Sequence, residues 1–472
     1  MSAPPPTASP PAPVAAPARS EVASVGAPAV EDHDRSHRPR FLRDVAATTL
    51  VQAALLPLSL ATSVVIARSL GPTGKGEYTS IVAISEFALF FGAQGIGKAI
   101  VYLIPRHRDE ERALQATTMV LSVIAALLVG AALVGFALAV MPHVLPTLPV
   151  SMALFAVPLA SITVIRTSLE GFLRADHRNL PVNGGALLFS AGVLLLVVFW
   201  AVGSRLTLTW ALAGRVISLA ATVALLGWYL RRMPWRRLWR TDRSSVRRIA
   251  RYGGPYALIS LTQNLNYDLD VLLVQGMLSS RNVGIYSISA STAELLWTLP
   301  YAVGFVLLPM VAANRDEEAA AAGAATVARR TLLLTAAGAL LLAALSLPLI
   351  HLMYGPAYAG AVIPTLLLLP GIVANVWFQV LAGFLLGRGL TGVVLAATTV
   401  GIATNTIINV IVIPRFGIDG AAVASTISYS ATSLLVVRAF RSRWPQMSLR
   451  PSFEDVVAIV TPARELWRRV RP

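Results

Sequence analysis

Residues 70–78 read Leu70-Gly71-Pro72-Thr73-Gly74-Lys75-Gly76-Glu77-Tyr78, with Glu86 further on. A second copy reads Leu278-Ser279-Ser280-Arg281-Asn282-Val283-Gly284-Ile285-Tyr286, with Glu294 further on. Leucine, glycine, tyrosine and glutamate keep one spacing in both copies, and each stands 208 residues from its counterpart. Long apolar runs flank both copies, so each reads as a short turn between two hydrophobic hairpin arms. Gly76 and Gly284 suit a tight turn, where a left-handed backbone is cheap only for glycine. Leucine, glycine and tyrosine are common at helix ends, which favours chance. A second recurrence argues against it: Gly171-Phe172-Leu173 returns as Gly383-Phe384-Leu385, 212 residues on. The chain is therefore read as an internal duplication.

The chain has 472 residues, 56% hydrophobic and only 13% charged, with mean hydropathy +0.67. A soluble chain carries about 25% charged residues. Apolar runs fall at about 44–67, 79–104, 113–141, 150–173, 181–203, 208–230, 250–278, 284–312, 323–352, 360–387, 391–413 and 420–440. Each is long enough for a hydrocarbon core of ~30 Å. The fold class is thus an all-α polytopic membrane protein. It has about twelve transmembrane helices in two parallel six-helix repeats. There is no cysteine, which excludes a disulfide framework, a thiolate metal site and a cysteine nucleophile. Lysine is confined to Lys75 and Lys98, and the Ala/Arg/Pro bias points to a GC-rich bacterial source.

The net charge of +16 sits mostly between the apolar runs. That favours a membrane explanation over nucleic acid. Arg35, Arg38, Arg40, Arg43, Arg106, Arg108, Arg112, Arg174, Arg178, the run from Arg231 to Arg251, Arg315, Arg329, Arg330, Arg388, Arg441, Arg443 and Arg450 share one side. The opposite side has little beyond Arg68, Lys75, Arg205, Arg281 and Arg415. The positive-inside rule makes the first side cytoplasmic. Both termini are then cytoplasmic, on the inner side of the bacterial inner membrane, while Lys75 and Arg281 face outside.

Residues 1–42 are rich in Pro, Ala and Ser and read as a disordered cytoplasmic tail. No apolar stretch there precedes a cleavage site, so no signal peptide is expected. Residues 43–230 form the first half and 252–440 the second. Between them, 231–251 is a basic cytoplasmic linker with Trp235 and Trp239 among arginines, suited to an inner-surface amphipathic helix. Residues 441–472 are a basic amphipathic cytoplasmic tail.

The loops between runs are too short to house chemistry, so an enzyme is not expected. The six histidines lack ligand spacing. Gly71 to Lys75 lacks the phosphate-loop spacing, so no nucleotide or other cofactor is expected. The information left lies in polar groups within the runs, where a charge at the centre costs about 2.5–3.5 kcal/mol on insertion scales. These are Glu86 and Lys98 in the second helix, Arg166 and Glu170 at i,i+4 in the fourth, and Arg215 in the sixth. The seventh holds Gln263, Asn264, Asn266, Asp268, Asp270 and Gln275, and the eighth holds Glu294. Asn375 and Gln379, and Asn405 with Asn409, share helix faces. Snorkelling competes as an account of Lys98, Arg166 and Arg215, and interhelical hydrogen bonding as an account of the asparagines.

In order and spacing, several motifs resemble the multidrug/oligosaccharidyl-lipid/polysaccharide exporter superfamily, O-antigen and polysaccharide flippase branch. They are Ala67-Arg68-Ser69-Leu70-Gly71-Pro72 with Gly76-Glu77-Tyr78, then Gly95-x-Gly97-x-Ala99. Gly171-Phe172-Leu173-Arg174-Ala175 and Gly417-Ile418-Asp419-Gly420-Ala421-Ala422 follow. The resemblance covers residues 43–440. It implies a central cavity between the two halves, alternately open to each side, and flipping of a polyprenyl-diphosphate-linked oligosaccharide by alternating access, with membrane lipid and polysaccharide assembly proteins as further partners. Arg68, Lys98, Arg166 and Arg215 are then the cations offered to a diphosphate. Asp268 and Asp270 have no acidic counterparts in the first half, where Leu60 and Thr62 stand. That asymmetry assigns them to proton or sodium coupling, with Gln263 and Asn264 as further oxygen ligands for sodium. Glu86 and Glu294, at equivalent positions, are carried beside them as acids of a shared role. The alternatives are a cation-coupled multidrug exporter, a lipid II flippase (whose branch usually has two more helices, not found here) and a non-transporting scaffold.

Overall fold

The computed structural model describes residues 38–90, 94–203, 205–231, 241–298, 300, 303 and 316–459. Side chains at 38–47, 49, 52, 90, 94, 255, 256 and 258–268 lie outside that description. So do most of the N-terminal tail, linker residues 232–240 and tail residues 460–472.

Among the described residues the secondary structure is entirely helical. Helix α1 (38–70) runs into α2, which comprises 72–90 and Gln94–Arg106. Next come α3 (Glu111–Gly135, extended by a π-helical turn, Phe136–Val140), α4 (Val150–Ala175), α5 (Asn179–Val202) and α6 (Leu208–Tyr229). The second half holds α7 (Arg243–Met277), α8 (Ser280–Glu294), α9 (Glu317–Tyr354), α10 (Val362–Gly387), α11 (391–416) and α12 (418–443). Among the described residues these helices follow the expected apolar runs in order, and eight helical stretches, with α1 and α2 taken together and α11 and α12 taken together, are long and apolar enough to cross a membrane. Large apolar side chains are exposed on these helices, as at Leu127, Val202, Leu340 and Leu352.

The first junction differs from the expected turn. Its break is at Gly71, with φ 68° and ψ −178°, a region open to glycine alone. Pro72 then starts α2, where a missing amide hydrogen costs nothing. Gly76 and Gly284 are helical. In the second half the chain breaks at Leu278, and Ser279 caps α8 through its side chain. Gly417, φ 59°, separates α11 from α12.

Gly76 and Gly284 serve as contact points between the halves. A Cβ on Gly76 would lie 1.6 Å from the Ser280 carbonyl oxygen, and one on Gly284 1.9 Å from that of Pro72. Ser280 stands 208 residues from Pro72, so the contact is reciprocal, as two-fold packing demands. At this end Ser80 donates to Gln275 (2.6 Å), and Gln275 donates to Thr147 (2.6 Å). The Tyr358 hydroxyl donates to the Ala67 carbonyl (3.0 Å).

At the arginine-rich end the second part of α2 crosses α7. A Cβ on Gly95 would meet the Gly253 carbonyl oxygen at 2.2 Å. Tyr102 and Tyr252 pack with ring centroids 4.9 Å apart, and Arg106 lies over Tyr102 at 3.7 Å. Glu110 pairs with Arg248 across the same junction. The halves therefore touch at both ends and enclose space between.

Helix α7 begins at Arg243, capped by Asp242, so the end of the expected linker is helix. The chain beyond α12 folds back: Trp444 packs on Phe384 and Phe440. Arg329 of α9 binds Asp455 (2.8 Å) and the Ser448 carbonyl (2.6 Å).

Candidate functional site

A cavity of about 460 Å³ lies between the halves. Its first-half wall carries Ser59, Thr62 and Ser63 of α1, Lys75 and Tyr78 of α2, Phe189 and Ser190 of α5, and Arg215 of α6. The second-half wall carries Ser291 and Glu294 of α8, with Leu295 and Trp297. A neighbouring cavity of about 220 Å³ shares Ser291, Glu294 and Trp297 and reaches Asp270, Tyr286 and Tyr429.

The first wall is cationic. Arg215 lies 3.7 Å from Glu86, an ion pair linking α6 to α2. Its guanidinium lies 5.2 Å from the Phe189 ring centroid, and that of Arg166 lies 5.5 Å from the same ring. Phe189 is thus shared by two cations, each contact worth about 0.5–2 kcal/mol as desolvation increases. Arg166 Nε is 3.1 Å from Glu170 without the alignment of a hydrogen bond, and Arg174 approaches the same carboxylate at 3.6 Å. Helical i,i+4 spacing explains why one glutamate serves both arginines.

Two other proposed cations sit elsewhere. Arg68 donates to the carbonyls of Met353 (2.8 Å) and Leu352. It satisfies carbonyls at the C-terminal end of α9 and ties α1 to the other half. Lys98 is exposed, toward the arginine-rich end of α2.

The second-half acids are differently placed. Asp270 is buried, and its carboxylate accepts from Ser425 (2.5 Å), Tyr286 (3.2 Å) and Asn409 (2.8 Å). Asn409 also donates to Asn405 (2.8 Å), and its own Oδ1 has no partner among the described residues. Among the described residues no cationic side chain pairs with Asp270. Arg215, a possible partner, pairs with Glu86 instead. Asp268 lies in α7 with its side chain outside the described residues. Glu86 and Glu294 are not alike: Glu86 holds Arg215, whereas Glu294 lines both cavities. The duplicated tyrosines also diverge. Tyr78 borders the cationic wall, and Tyr286 donates to Asp270.

Lys75 departs most from the sequence reading. It is 7% exposed and turns into the cavity, its ammonium 5.9 Å from the Tyr78 ring centroid. One signal was available: its counterpart in the second copy is Val283, so the repeat differs in charge there. Ser425 carried no such signal, because it is one of several hydroxyl residues along α12, with Thr426, Ser428, Ser430, Thr432 and Ser433, and nothing in their order singles it out.

The family of polysaccharide biosynthesis proteins matches residues 41–314, more than half of the chain. No curated protein matches the sequence. Among solved structures, the lipid II flippase MurJ in its inward closed conformation superposes with TM-score 0.73 at 12% identity, over 87% of this chain and 89% of that one. An inward-facing multidrug resistance MATE transporter of the MOP superfamily gives 0.69 at 15% identity, over 82% and 94%. A MOP superfamily transporter from Pyrococcus furiosus gives 0.59 at 15% identity, over 85% and 94%. At these identities the likeness is one of fold.

Proposed function

Because the chain belongs to the polysaccharide biosynthesis protein family and has the fold of the MOP superfamily exporters, we propose that it flips a polyprenyl-diphosphate-linked oligosaccharide across the bacterial inner membrane. The observation that carries this reading is the charge polarity of the cavity between the halves. Arg215 and Lys75 line the first-half wall, with Arg166 beside Phe189, while Glu294 lines the other wall and Asp270 lies behind it. An anion in reduced dielectric is held best by such fixed cations, and a guanidinium adds bidentate hydrogen bonds to phosphate oxygens. A scaffold has no use for charges buried at this cost.

The substrate enters from the arginine-rich face when the Gly95–Gly253 crossing parts. It leaves on the other side when Gly76 and Gly284 separate. A cavity of about 460 Å³ is within the ~300–1,000 Å³ range of small-molecule sites. The closed form therefore grips the diphosphate end, and longer sugar chains extend out of it when one end opens. The arginine-rich face is cytoplasmic by the positive-inside rule, as are both termini.

Asp270 is the coupling site in this proposal. Burial without a cationic partner disfavours the free carboxylate and favours binding of a proton or a cation, and Asn405, Asn409 and Ser425 offer further oxygens for sodium. Its site joins α7, α8, α11 and α12, so its occupancy biases how α7 sits against α8. Glu294 lines both cavities and connects this site to the substrate cavity. The acidic wall favours one second reading, a cation-coupled multidrug exporter, in which a cationic substrate occupies that wall.

The test is reconstitution of the full chain in vesicles with a labelled undecaprenyl-diphosphate oligosaccharide and, separately, a lipophilic cation, under imposed proton or sodium gradients. Transfer of the lipid-linked sugar to the far leaflet supports the flippase. Uptake of the cation alone replaces it with the exporter, and movement of neither leaves the scaffold.

A further inference from the structure

Beyond α12 the chain is fixed in both rotation and depth. Trp444, Leu449 and Asp455 are buried. The Asp455 carboxylate accepts from Arg329 of α9 and lies 3.5 Å from Arg330. It also accepts from the Ser452 amide at 3.0 Å, and the Asp455 amide donates to the Ser452 hydroxyl at 3.3 Å. This is a capping box with aspartate in the glutamate's place, and it starts a helical segment at 453–459. With Asp455 pinned inward, Phe453, Val456 and Val457 share the opposite face at i, i+3 and i+4. They are 81%, 41% and 45% exposed.

The same clamp sets the depth. Arg329 and Arg330 are the last charges before the apolar stretch 331–350 of α9, in which Leu334, Leu340 and Leu341 are exposed. In a membrane-spanning helix that stretch meets hydrocarbon, and the arginine pair at its edge lies at headgroup level. Asp455 and the segment it caps are held at that level too. The surroundings are basic: residues 441–472 carry seven arginines against three acids, and Asp455 is already paired. Arg441, Arg443 and Arg450 are exposed, and four more arginines with Trp467 follow by residue 471.

We propose that the segment 444–459 is a docking element for an anionic phospholipid surface, in which Phe453, Val456 and Val457 enter the acyl boundary and the arginines around them meet lipid phosphates. An acidic protein would match the charge but not the headgroup depth of the apolar face. The segment holds to α9, α10 and α12 through Arg329, Phe384 and Phe440, so docking ties the second half to the lipid. It depends on the membrane fold and not on the cargo.

The test uses the full cysteine-free chain with a polarity-sensitive fluorophore on Val456→Cys, in nanodiscs of phosphatidylcholine with or without phosphatidylglycerol. Nitroxide-labelled phosphatidylcholine is the quencher. With phosphatidylglycerol the emission is expected to shift to the blue and to be quenched. Salt at about 1 M, which screens charges beyond about 3 Å, weakens the quenching, and Phe453→Asp abolishes it. A fluorophore on Glu317→Cys, about 18 Å along α9 from Arg329, stays aqueous throughout. Aqueous emission at Val456→Cys in both nanodiscs overturns the docking. Aqueous emission in nanodiscs with shielding in native membranes assigns the face to a protein and overturns it as well. Equal quenching with and without phosphatidylglycerol, insensitive to salt, keeps the apolar contact and rejects the anionic lipid. Should Val456→Cys not fold, Val457→Cys decides in its place.

Discussion

Gly76 and Gly284 occupy the same place in the two halves and lie against one another's helices, each pressed on a backbone carbonyl of the other half. The clearances for an added Cβ, 1.6 Å at Gly76 and 1.9 Å at Gly284, are too small for any side chain. Gly76→Ala or Gly284→Ala must push α2 from α8. Overpacking costs about 1–3 kcal/mol, enough to shift the equilibrium away from the closed form about fivefold or more. Transport is expected to fall correspondingly, and crosslinking between cysteines at Ser80 and Gln275 to drop. Normal crosslinking in Gly76→Ala would mean that the contact does not govern closure.

Orientation is checked with the cysteine-free chain itself. Thr73 and Thr241 are both exposed. In intact cells an impermeant thiol reagent is expected to label Thr73→Cys and spare Thr241→Cys. The reverse pattern would invert the topology and the direction of transport.

Arg215→Ala and Arg166→Ala are expected to abolish flipping while the protein still reaches the membrane. Arg215→Lys keeps the charge but loses the planar fork, so partial activity is expected. Full activity in the double alanine variant would reduce both arginines to snorkelling residues. Membrane fractionation beside the vesicle assay separates these outcomes.

Asp270→Asn preserves shape and removes the acid. Gradient-driven accumulation is expected to disappear while downhill movement persists. Should Glu86→Gln or Glu294→Gln alone remove the gradient dependence, coupling belongs to the duplicated acids instead.

Asp455 provides a pH test outside the membrane. The hydrogen bond from Arg329 chiefly holds its carboxyl well below the usual carboxylate range. A depressed folded-state value means that its stabilising contribution is present above the unfolded pKa of about 3.9 and is lost only as pH falls below it. Protection of residues 444–459 from limited proteolysis is expected to hold from about pH 5 upward. Asp455→Asn is expected to remove it at every pH, and a loss of protection between about pH 6 and 7 in the wild type would contradict this account.

The all-helical membrane class, the order of the helices, the duplication and the residues carrying charge were legible in the chain, because apolar run length, motif spacing and residue type are local properties. Asn405 and Asn409 could be placed on one face because i,i+4 spacing fixes their relation. What they face could not be read, since Asp270 and Ser425 are brought to them by packing of α7 and α12 against α11. The same limit explains Lys75 and Arg68. Both stand in the stretch around the first junction, yet the lysine points inward and the arginine binds the end of α9. Which way each points depends on where the helix breaks, at Gly71 rather than Gly76, and on how α1 and α2 are rotated against the other half. Spacing along the sequence carries the relation between neighbours on one helix; only tertiary packing sets that helix's rotation and the groups it meets.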